Sequence, residues 1–344
     1  MIPRDAFSVG ALYAAAARAA RGKRHRASVA SFLLELEPLL CDLRTALVLG
    51  TWRPGRPQLR EIRDPKPRTI SVAPFRDRVV HQALAAVLAP RLERRLVRDT
   101  YACRVGMGTH AALARARAWA RTYRWYAHLD VVKFFPSCDH AILAAQAHAD
   151  HPESWLRALC AVIVDAGDCE GRRAHFPGDD LLSPLAHAVG LPLGNLTSQL
   201  WANRYLDPVD HLVKDRLRVR PYLRYMDDML LFHDDRRALE QLARTVEDAC
   251  HGLRLRLHPW QVRPTRAGVG IVGYRVYQGH VRVRRSTVAR AERQLRRTLD
   301  IESAEQLRVG LRATFAHWAF ADAWRLKERT LARLGLLYPP EATG

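Results

Sequence analysis

The sequence is poor in the features that mark secreted, membrane-spanning and zinc-binding proteins. Its six cysteines are scattered, with no Cys-x-x-Cys pair and no zinc-type spacing with histidine, so we expect reduced, mostly buried thiols. No apolar run reaches the roughly 20 residues that a membrane-spanning helix needs. The N-terminal segment lacks the compact apolar core of a signal peptide, and there is no low-complexity segment or internal repeat. These absences predict a cytoplasmic protein that does not enter a membrane.

Acidic residues are also scarce relative to basic ones. Lys and Arg number 55 against 35 Asp and Glu, which gives a formal net charge of +20. Such an excess indicates a polyanionic partner, most commonly a nucleic acid. A solvated basic surface in an arginine-rich proteome is the alternative explanation. With 344 residues and a hydrophobic fraction of 48%, the chain is long enough for a globular protein of two or three subdomains.

The spacing of apolar residues predicts a mixed α+β fold. Helices are expected at 5–21, 28–49, 77–98, 109–122, 139–148, 153–166, 194–216 and 236–252, with a basic helical region at 286–335. Strands are expected in REIRD and RTISV (a hairpin around DPKP), HLDVV (128–132), YLRYMDDMLLFHD (222–234), LRLRLH, GVGIVGYRVY and HVRVRR.

Three aspartates lie where the surrounding chain is apolar. Asp130 ends the strand pattern of HLDVV, and Asp227 and Asp228 lie at a tight turn between two strands. Adjacent acids flanked by apolar strands are costly to place unless something binds them. Attack on the α-phosphate of a nucleotide requires two Mg²⁺ ions, which need carboxylate ligands from separate strands. From the residues alone, a solvated hairpin tip remains the alternative to a metal site.

The sequence around these aspartates resembles reverse transcriptases. Tyr225-Met226-Asp227-Asp228 matches their Y-x-D-D signature. Four more segments follow the family order: PKPRTISVAPFRDRVVH (65–81, fingers), LDVVKFFPSCDH (129–140, first palm motif), LPLGNLTSQLWANRYLDPVDH (191–211, second palm motif) and GVGIVGYRVY (268–277, primer grip). The resemblance covers about residues 10–335. It implies an RNA-directed DNA polymerase with a right-hand architecture of fingers, palm (an antiparallel sheet flanked by helices) and helical thumb.

The same resemblance implies a division of the chain into subdomains. An N-terminal helical extension would occupy 1–50, and fingers with part of the palm would occupy 51–125. The palm would extend over 126–280, with a fingers insertion at about 150–190, and the thumb over 281–344.

The resemblance also implies roles for individual residues. Asp130, Asp227 and Asp228 would be catalytic, with two Mg²⁺ ions (or Mn²⁺) held by Asp130, Asp227 and the backbone carbonyl of Val131. The nucleotide-binding positions would be Lys66, Arg68, Arg76, Phe135, Leu193, Gly194 and Gln199. The template- or primer-binding positions would be Asn195, Ser198, Tyr225, Met226, Gly273, Tyr274, Arg290 and Arg297.

Several of these roles have a physical basis in the residue type. Lys66 and Arg68 are cations suited to a triphosphate, although basic residues more often simply face solvent. An aromatic ring at Phe135 would exclude a ribose 2′-hydroxyl and so predicts deoxynucleotide use, with Phe134 as the neighbouring core aromatic. Gly194 would let the backbone approach the nascent base pair closely.

Two departures from the general family pattern narrow the prediction. Leu193 stands where many relatives have glutamine. His258-Pro259-Trp260-Gln261-Val262 stands where many carry a lysine that is proposed to protonate pyrophosphate. Glutamine cannot act as a general acid, so that role is either empty or passes to His258 or Arg263.

Both departures resemble the reverse transcriptases of diversity-generating retroelements. YACRVGMGTH (101–110), RGKRHR (21–26) and FAHWAFADAW (315–324) do so as well. That resemblance implies copying of a retroelement RNA into cDNA with errors opposite adenine. The implied partners are the RNA template, the cDNA, deoxynucleotides and a small basic oligomeric accessory protein. A reverse transcriptase of a phage-defence system and a catalytically silent RNA-binding protein with a palm fold remain as alternatives.

Overall fold

The computed structural model describes residues 7–62, 68–166, 175–176, 179–180, 182–301 and 304–336. In chain order the helices and strands are α1 (Val9–Ala20), α2 (Ala27–Leu34), α3 (Leu36–Val48), β1 (Gln58–Ile62), β2 (Arg68–Val72), α4 (Phe75–Arg95), α5 (Thr109–Thr122), β3 (Trp125–Asp130), α6 (Phe134–Ser137), α7 (His140–Asp150), α8 (Ser154–Asp165), α9 (Ser183–Ala186), α10 (Leu196–His211), β4 (Tyr222–Tyr225), β5 (Asp228–His233), α11 (Arg236–Gly252), β6 (Val262–Pro264), β7 (Val269–Ile271), β8 (Tyr274–Val276), β9 (Val281–Val283), α12 (Arg285–Ile301), α13 (Ala304–Trp318) and α14 (Trp324–Arg333). Two compact units share these elements: the first comprises Met1–Arg104, Asp130–Val219 and Thr245–His258, and the second comprises Val105–Leu129, Arg220–Arg244 and Pro259–Gly344.

The core of the first unit is helical. Helix α1 buries small residues at helical spacing, among them Ala15, Ala16 and Ala19, and packs against α4. Small side chains allow the two helix backbones to approach closely. Helix α10 also packs on α4 and is buried on almost every face, with a single turn of π-helix over Leu212–Arg216 continuing it.

The helix expected at 28–49 is in fact two helices, and this prediction was wrong. Helix α2 ends at Leu34, Glu35 leaves the helical conformation (φ −110°, ψ 31°), and α3 begins at Leu36. Pro38 explains the break, because proline has no amide proton and its ring clashes with the carbonyl four residues earlier, which is that of Leu34.

The predicted hairpin is confirmed as β1 paired antiparallel with β2. The segment before α10 adds to this hairpin, since the amide of Ser71 donates to the carbonyl of Leu193 at 2.9 Å. Gly194 has a left-handed φ of +114°, and a Cβ added there would lie 2.9 Å from Ile70 Cγ2 and 3.0 Å from the Ser71 carbonyl oxygen. A glycine is therefore needed at position 194 for close approach to β2.

The second unit is built on a four-stranded sheet in the order β4-β5-β3-β6. The paired strands β4 and β5 and the tight turn between them are confirmed. The strand expected at 128–132 instead covers Trp125–Asp130, because the chain turns out of the sheet at Lys133, whose φ is +48°. Strand β6, which pairs antiparallel with β3, had not been predicted.

Other strand and helix predictions gave mixed results. A separate sheet in the order β7-β8-β9 confirms the strands in GVGIVGYRVY and HVRVRR. LRLRLH is not a strand: only Leu257 forms an isolated bridge, with Val131. Helices α12, α13 and α14 confirm the helical C-terminal region. Within the described ranges, none of the helices combines the length and the apolar character that crossing a membrane would require.

Candidate active site

The turn between β4 and β5 presents the paired aspartates. Tyr225 lies opposite Asp228 in the antiparallel register, which leaves Met226 and Asp227 as a two-residue turn. Met226 has a φ of +59°, a conformation that is uncommon for residues other than glycine. The fully buried Arg224 donates from Nη1 to the carbonyl of Met226 at 2.9 Å and so stabilises this turn. Asp227 therefore lies at the tip of a rigidly held hairpin.

A histidine on β3 contacts the second aspartate of the pair. His128 Nε2 lies 2.6 Å from Asp228 Oδ1, and both side chains are about one-third exposed, at 31% and 34%. Because alternate residues of a strand point to the same face, His128 and Asp130 share one face of β3. Leu129, between them, is fully buried. This contact had not been predicted. The spacing of His128 from Asp130 indicates a shared face of β3 but not the contact with Asp228.

In the first unit, backbone contacts fix the chain around Asp130. The amide of His258 donates to the carbonyl of Asp130 at 2.8 Å, and the amide of Val132 donates to the carbonyl of Arg256 at 2.8 Å. These two bonds form the bridge between Val131 and Leu257, and neither engages the carbonyl of Val131.

The donor groups can be compared with the needs of Mg²⁺. Within the described part of the chain, no group of three or more His, Cys, Asp and Glu side chains is arranged to hold a metal ion. Mg²⁺ does not require such a cage, since it commonly takes one or two carboxylates and completes its octahedron with water and substrate phosphate. The half-exposed Asp130 and Asp227, together with a backbone carbonyl, are hard oxygen donors of the kind that Mg²⁺ prefers.

The expected triphosphate-binding residues differ in how far the structure describes them. Lys66 lies outside the described residues. Arg68 begins β2, paired with Ile62, and Arg76 is exposed in the first turn of α4. All three phosphate contacts stay predictions.

The two phenylalanines of the first palm motif lie in different environments. Phe134 is buried at 2% exposure and packs edge-on against Tyr205, as expected for a core aromatic. Phe135 is half-buried, and its carbonyl accepts a hydrogen bond from the amide of Leu191 at 2.8 Å. Its ring therefore keeps some surface that a substrate can reach, and its predicted contact with the sugar stays a prediction.

The residues around the start of α10 are less accessible than expected. Ser198 is fully buried and Asn195 is 8% exposed, so neither side chain is presented to a template strand in this conformation. Leu193 and Gln199 are half-buried. The close approach at Gly194 is to Ile70 and Ser71 of β2, which gives this glycine a structural role independent of any base pair.

The expected primer- and template-binding residues of the second unit also vary in exposure. The hydroxyl of Tyr225 lies 3.2 Å from Thr109 Oγ1, and the ring is half-buried. Tyr274 has no exposed surface, hydrogen-bonds through its hydroxyl to His317, and has its pKa raised to about 12 by burial. Gly273 uses its carbonyl to accept from the amide of Arg284 at 2.9 Å. On α12, Arg290 is half-buried and Arg297 is exposed.

The segment that replaces the usual motif lysine also has a defined environment. His258 is exposed beside the strand that carries Asp130, to which its backbone is bonded. When its amide oxygen is turned toward Arg263, Gln261 accepts a hydrogen bond from that guanidinium. Gln261 thus has a local partner, and which residue protonates the product stays a prediction.

The first unit contains a cavity of about 410 Å³ close to the residues that follow Asp130. We call it the basic cavity, and its lining includes Lys133, Ser137, Phe176, His187, Arg254 and Arg256. Sequence reasoning had not brought these residues together, because they come from three distant parts of the chain.

A second cavity of the same unit, of about 550 Å³, lies among α4, α10 and the end of α7 with the residues that follow it. We call it the paired cavity, because Arg91, Arg95 and Arg204 of its lining are bonded to carboxylates. Arg91 binds Glu153 in bidentate fashion at 2.7 and 2.9 Å. The guanidinium of Arg204 binds Asp150, and Arg95 Nε binds the fully buried Asp207 at 2.6 Å.

Comparison with known proteins identifies the fold. Residues 62–276 match the family described as Reverse transcriptase (RNA-dependent DNA polymerase). The COX1/OXI3 intron 1 protein of Saccharomyces cerevisiae is 21% identical over 175 residues, which are 50% of this chain and 20% of that protein. This chain therefore spans about a fifth of that curated relative.

Two solved structures have a similar fold. Telomerase from Candida albicans in complex with a TWJ fragment of telomeric RNA matches with a TM-score of 0.51 and 10% identity, over 82% of this chain and 55% of that one. Apo telomerase from Candida tropicalis matches with a TM-score of 0.51 and 10% identity, over 86% and 64%. The chain thus spans somewhat over half of these proteins. At such low identity the likeness concerns the fold, and it confirms the predicted α+β architecture of right-hand polymerase type.

Proposed function

Because this chain belongs to the reverse transcriptase (RNA-dependent DNA polymerase) family, we propose that it copies an RNA template into cDNA at the ends of β3, β4 and β5. The observation that carries this proposal is the two-residue turn that presents Asp227, followed by Asp228 in contact with His128. Asp228 begins β5, which belongs to the same sheet as β3. A solvated hairpin tip would need neither the buried Arg224 behind the turn nor the histidine beside it.

The chain's own groups have distinct roles in this proposal. The carboxylates of Asp130 and Asp227 and the carbonyl of Val131 would hold two Mg²⁺ ions, with Mn²⁺ as a substitute. The bound ions supply charge neutralisation on the phosphates and make the primer hydroxyl more acidic. His128 orients Asp228, and Arg224 stabilises the turn.

Substrate and nucleic-acid binding follow from the same proposal. Lys66, Arg68 and Arg76 would bind the triphosphate, and the half-buried ring of Phe135 would exclude a ribose 2′-hydroxyl. Residues 51–125 would form fingers, 126–280 the palm and 281–344 the thumb, after a helical extension over 1–50. Arg290 and Arg297 on the thumb helix α12 would bind phosphates of the template–primer duplex.

We further propose that the template is the RNA of a diversity-generating retroelement and that errors concentrate opposite adenine. Leu193 at the expected glutamine position and the segment His258–Val262 support this narrower assignment. A small basic oligomeric accessory protein and the structured retroelement RNA would be the partners, and the enzyme would work in the cytoplasm.

Primer extension tests both levels of the proposal. The full chain is given a defined RNA template, an annealed DNA primer, Mg²⁺ and deoxynucleotides, with and without the accessory protein and retroelement RNA, and the products are sequenced. We expect extension with errors concentrated opposite adenine. Replacing the deoxynucleotides by ribonucleotides should abolish extension by the wild type, and Phe135→Ala should restore part of it.

Two variants control this experiment. Asp227→Asn should remove extension, whereas Glu240→Gln, which changes an exposed acid paired with Arg236 on α11, should not. Equal extension by Asp227→Asn and the wild type would refute the proposed site. Accurate copying would leave the polymerase assignment in place and would favour a reverse transcriptase of a phage-defence system. Absence of extension in every partner condition would favour a silent RNA-binding protein.

A further inference from the structure

The basic cavity lies directly beside the chain segment that carries Asp130. Val132 and Lys133 form part of its wall, two and three residues after Asp130. Arg256 forms another part, and its carbonyl is bonded to the amide of Val132 at 2.8 Å. The cavity is therefore fixed to the segment from which the candidate metal ligands Asp130 and Val131 come.

The charges in this cavity are only partly neutralised. Arg254 is bound by Asp179 in bidentate fashion at 2.8 and 2.9 Å, and His187 lies 2.6 Å from Asp139. Lys133 and Arg256 are exposed, and neither forms an ion pair with a carboxylate in the described part of the chain. No Asp or Glu is among the described residues that line the cavity. An anion entering it would meet two positive charges that no carboxylate of the described residues neutralises.

The two guanidinium groups and the backbone of Lys133 are also held in place. The Phe176 ring contacts the guanidinium carbons of Arg254 and Arg256, at 5.0 and 5.7 Å from its centroid, and Arg256 Nη2 donates to the carbonyl of His175 at 2.7 Å. Lys133 has a left-handed backbone, stabilised because the amide and the hydroxyl of Ser137 donate to its carbonyl at 3.1 and 3.0 Å. Guanidinium groups held in place, with an ammonium group on a fixed backbone beside them, are suited to phosphate oxygens.

We infer that the basic cavity binds polyphosphate, and specifically the pyrophosphate that nucleotide addition releases. This inference rests on the proposed polymerase function. In that reaction the primer hydroxyl oxygen bonds to the α-phosphorus, and the bond between that phosphorus and its bridging oxygen breaks. Pyrophosphate leaves with the electron pair, and the hydroxyl proton passes to water. The product is a small polyanion, and a cavity of about 410 Å³ is large enough to hold it.

Direct binding of inorganic pyrophosphate to the full chain tests the inference, measured by calorimetry without added metal. We expect the wild type to bind pyrophosphate, and to bind orthophosphate much more weakly. Arg256→Gln and Lys133→Gln should each weaken binding about 10-fold, since each removes a charge-assisted hydrogen bond. Arg256→Lys should retain part of the affinity. Arg94→Gln, which removes a charge from the paired cavity, should leave binding unchanged. Thermal unfolding of each variant verifies that it is folded.

Kinetic measurements distinguish binding of the pyrophosphate product from binding of the incoming nucleotide through its triphosphate. In primer extension, pyrophosphate should inhibit Arg256→Gln about 10-fold less strongly than the wild type, with the KM for deoxynucleotide little changed. A raised KM with unchanged pyrophosphate binding would assign the cavity to the nucleotide and would overturn the inference. Equal pyrophosphate binding by the wild type and a double variant carrying both Lys133→Gln and Arg256→Gln would also overturn it. The chain could extend no primer and yet bind pyrophosphate in a way that the Arg256 and Lys133 substitutions weaken. This result would support the inference about the cavity and refute the proposed polymerase function.

Discussion

Two cavities of the first unit are rich in arginine, and they differ in what faces the guanidinium groups. In the paired cavity, Arg91, Arg95 and Arg204 bind the carboxylates of Glu153, Asp207 and Asp150. In the basic cavity, Arg254 has Asp179, but Lys133 and Arg256 have no carboxylate among the described residues. Arginine thus links segments of the chain in the paired cavity, where carboxylates bind it. In the basic cavity, Arg256 has no such carboxylate among the described residues and remains available to a ligand.

The comparison extends to the carboxylates beside each cavity. Asp150 lines the paired cavity, is 15% exposed and is bound by two arginines, Arg95 and Arg204. Asp130, next to the basic cavity, is half-exposed at the end of a strand. We therefore expect substitution of Asp150 to affect stability and substitution of Asp130 to affect chemistry.

The largest expected effect is that of Asp130→Asn. Loss of a metal-binding carboxylate removes several kcal/mol of transition-state stabilisation, so single-nucleotide incorporation should slow by about 10²–10³-fold. The unfolding midpoint should fall less than that of Asp150→Asn, because Asp130 is partly exposed at the end of a strand, whereas Asp150 is 15% exposed and bound by two arginines. A variant that incorporates nucleotides at the wild-type rate would show that the carboxylate next to the basic cavity is not catalytic.

Asp150→Asn should have the opposite profile. It removes the hydrogen-bonded carboxylate of Arg204, whose side chain is only 9% exposed, and leaves it the longer contact of 3.7 Å with Asp207. Breaking such a buried pair costs about 3 kcal/mol. Urea denaturation measures this loss, with Glu305→Gln as the control, since Glu305 is 76% exposed and its ion pair contributes little. Activity per folded molecule should be unchanged. Unaltered stability would mean that the paired cavity is not a structural network.

A third region, helix α12, also carries arginines that no described carboxylate neutralises, and the effect expected there is smaller. Arg293, Arg296 and Arg297 are exposed and have no carboxylate partner among the described residues. If Arg297 binds a backbone phosphate, Arg297→Gln should reduce the slope of log affinity against log salt by about 1, measured with a template–primer duplex. Arg308→Gln, which removes a cation already paired with Glu305, should leave the slope nearly unchanged.

The smallest expected effect concerns acid. The hydrogen bonds from Arg91 hold the pKa of Glu153 at about 2, below its ordinary 4.5. A carboxylate with a lowered pKa in the folded state stabilises the protein above its ordinary pKa and loses that contribution as pH falls through the folded value. The unfolding temperature of the wild type should therefore fall more steeply between about pH 4.5 and 2 than that of Glu153→Gln. Parallel curves would mean that this pair does not stabilise the paired cavity.

The elements of the site that depend on local sequence were predictable. Strands β4 and β5 and the turn at Met226 and Asp227 follow from two short, mostly apolar runs separated by two acids. Helices α5 and α11 match their expected bounds because their apolar spacing is regular. No interruption of the helix was predicted at Glu35, although Pro38 follows three residues later, because the apolar pattern continues across this position.

The contacts that depend on the folded chain were not predictable. The basic cavity joins Lys133, His187 and Arg256, and nothing in their local patterns indicates a shared wall. Strand β6 consists of three residues and ends at Pro264, and no alternating apolar pattern surrounds it as one surrounds β7 to β9. The burial of Ser198 follows from the position of α10 in the core, which a motif does not specify. The face that His128 shares with Asp130 follows from their spacing, whereas its contact with Asp228 does not.

The contact between Gly194 and β2 also restricts which substitutions position 194 can accept during evolution. A side chain at position 194 would collide with the backbone oxygen of Ser71, at 3.0 Å, as well as with Ile70. A shorter residue at position 70 would relieve only the second collision, because the oxygen belongs to every residue that could replace Ser71. No single compensating substitution can therefore open this position. We expect descendants of this chain to retain the glycine even where the residues around it have changed.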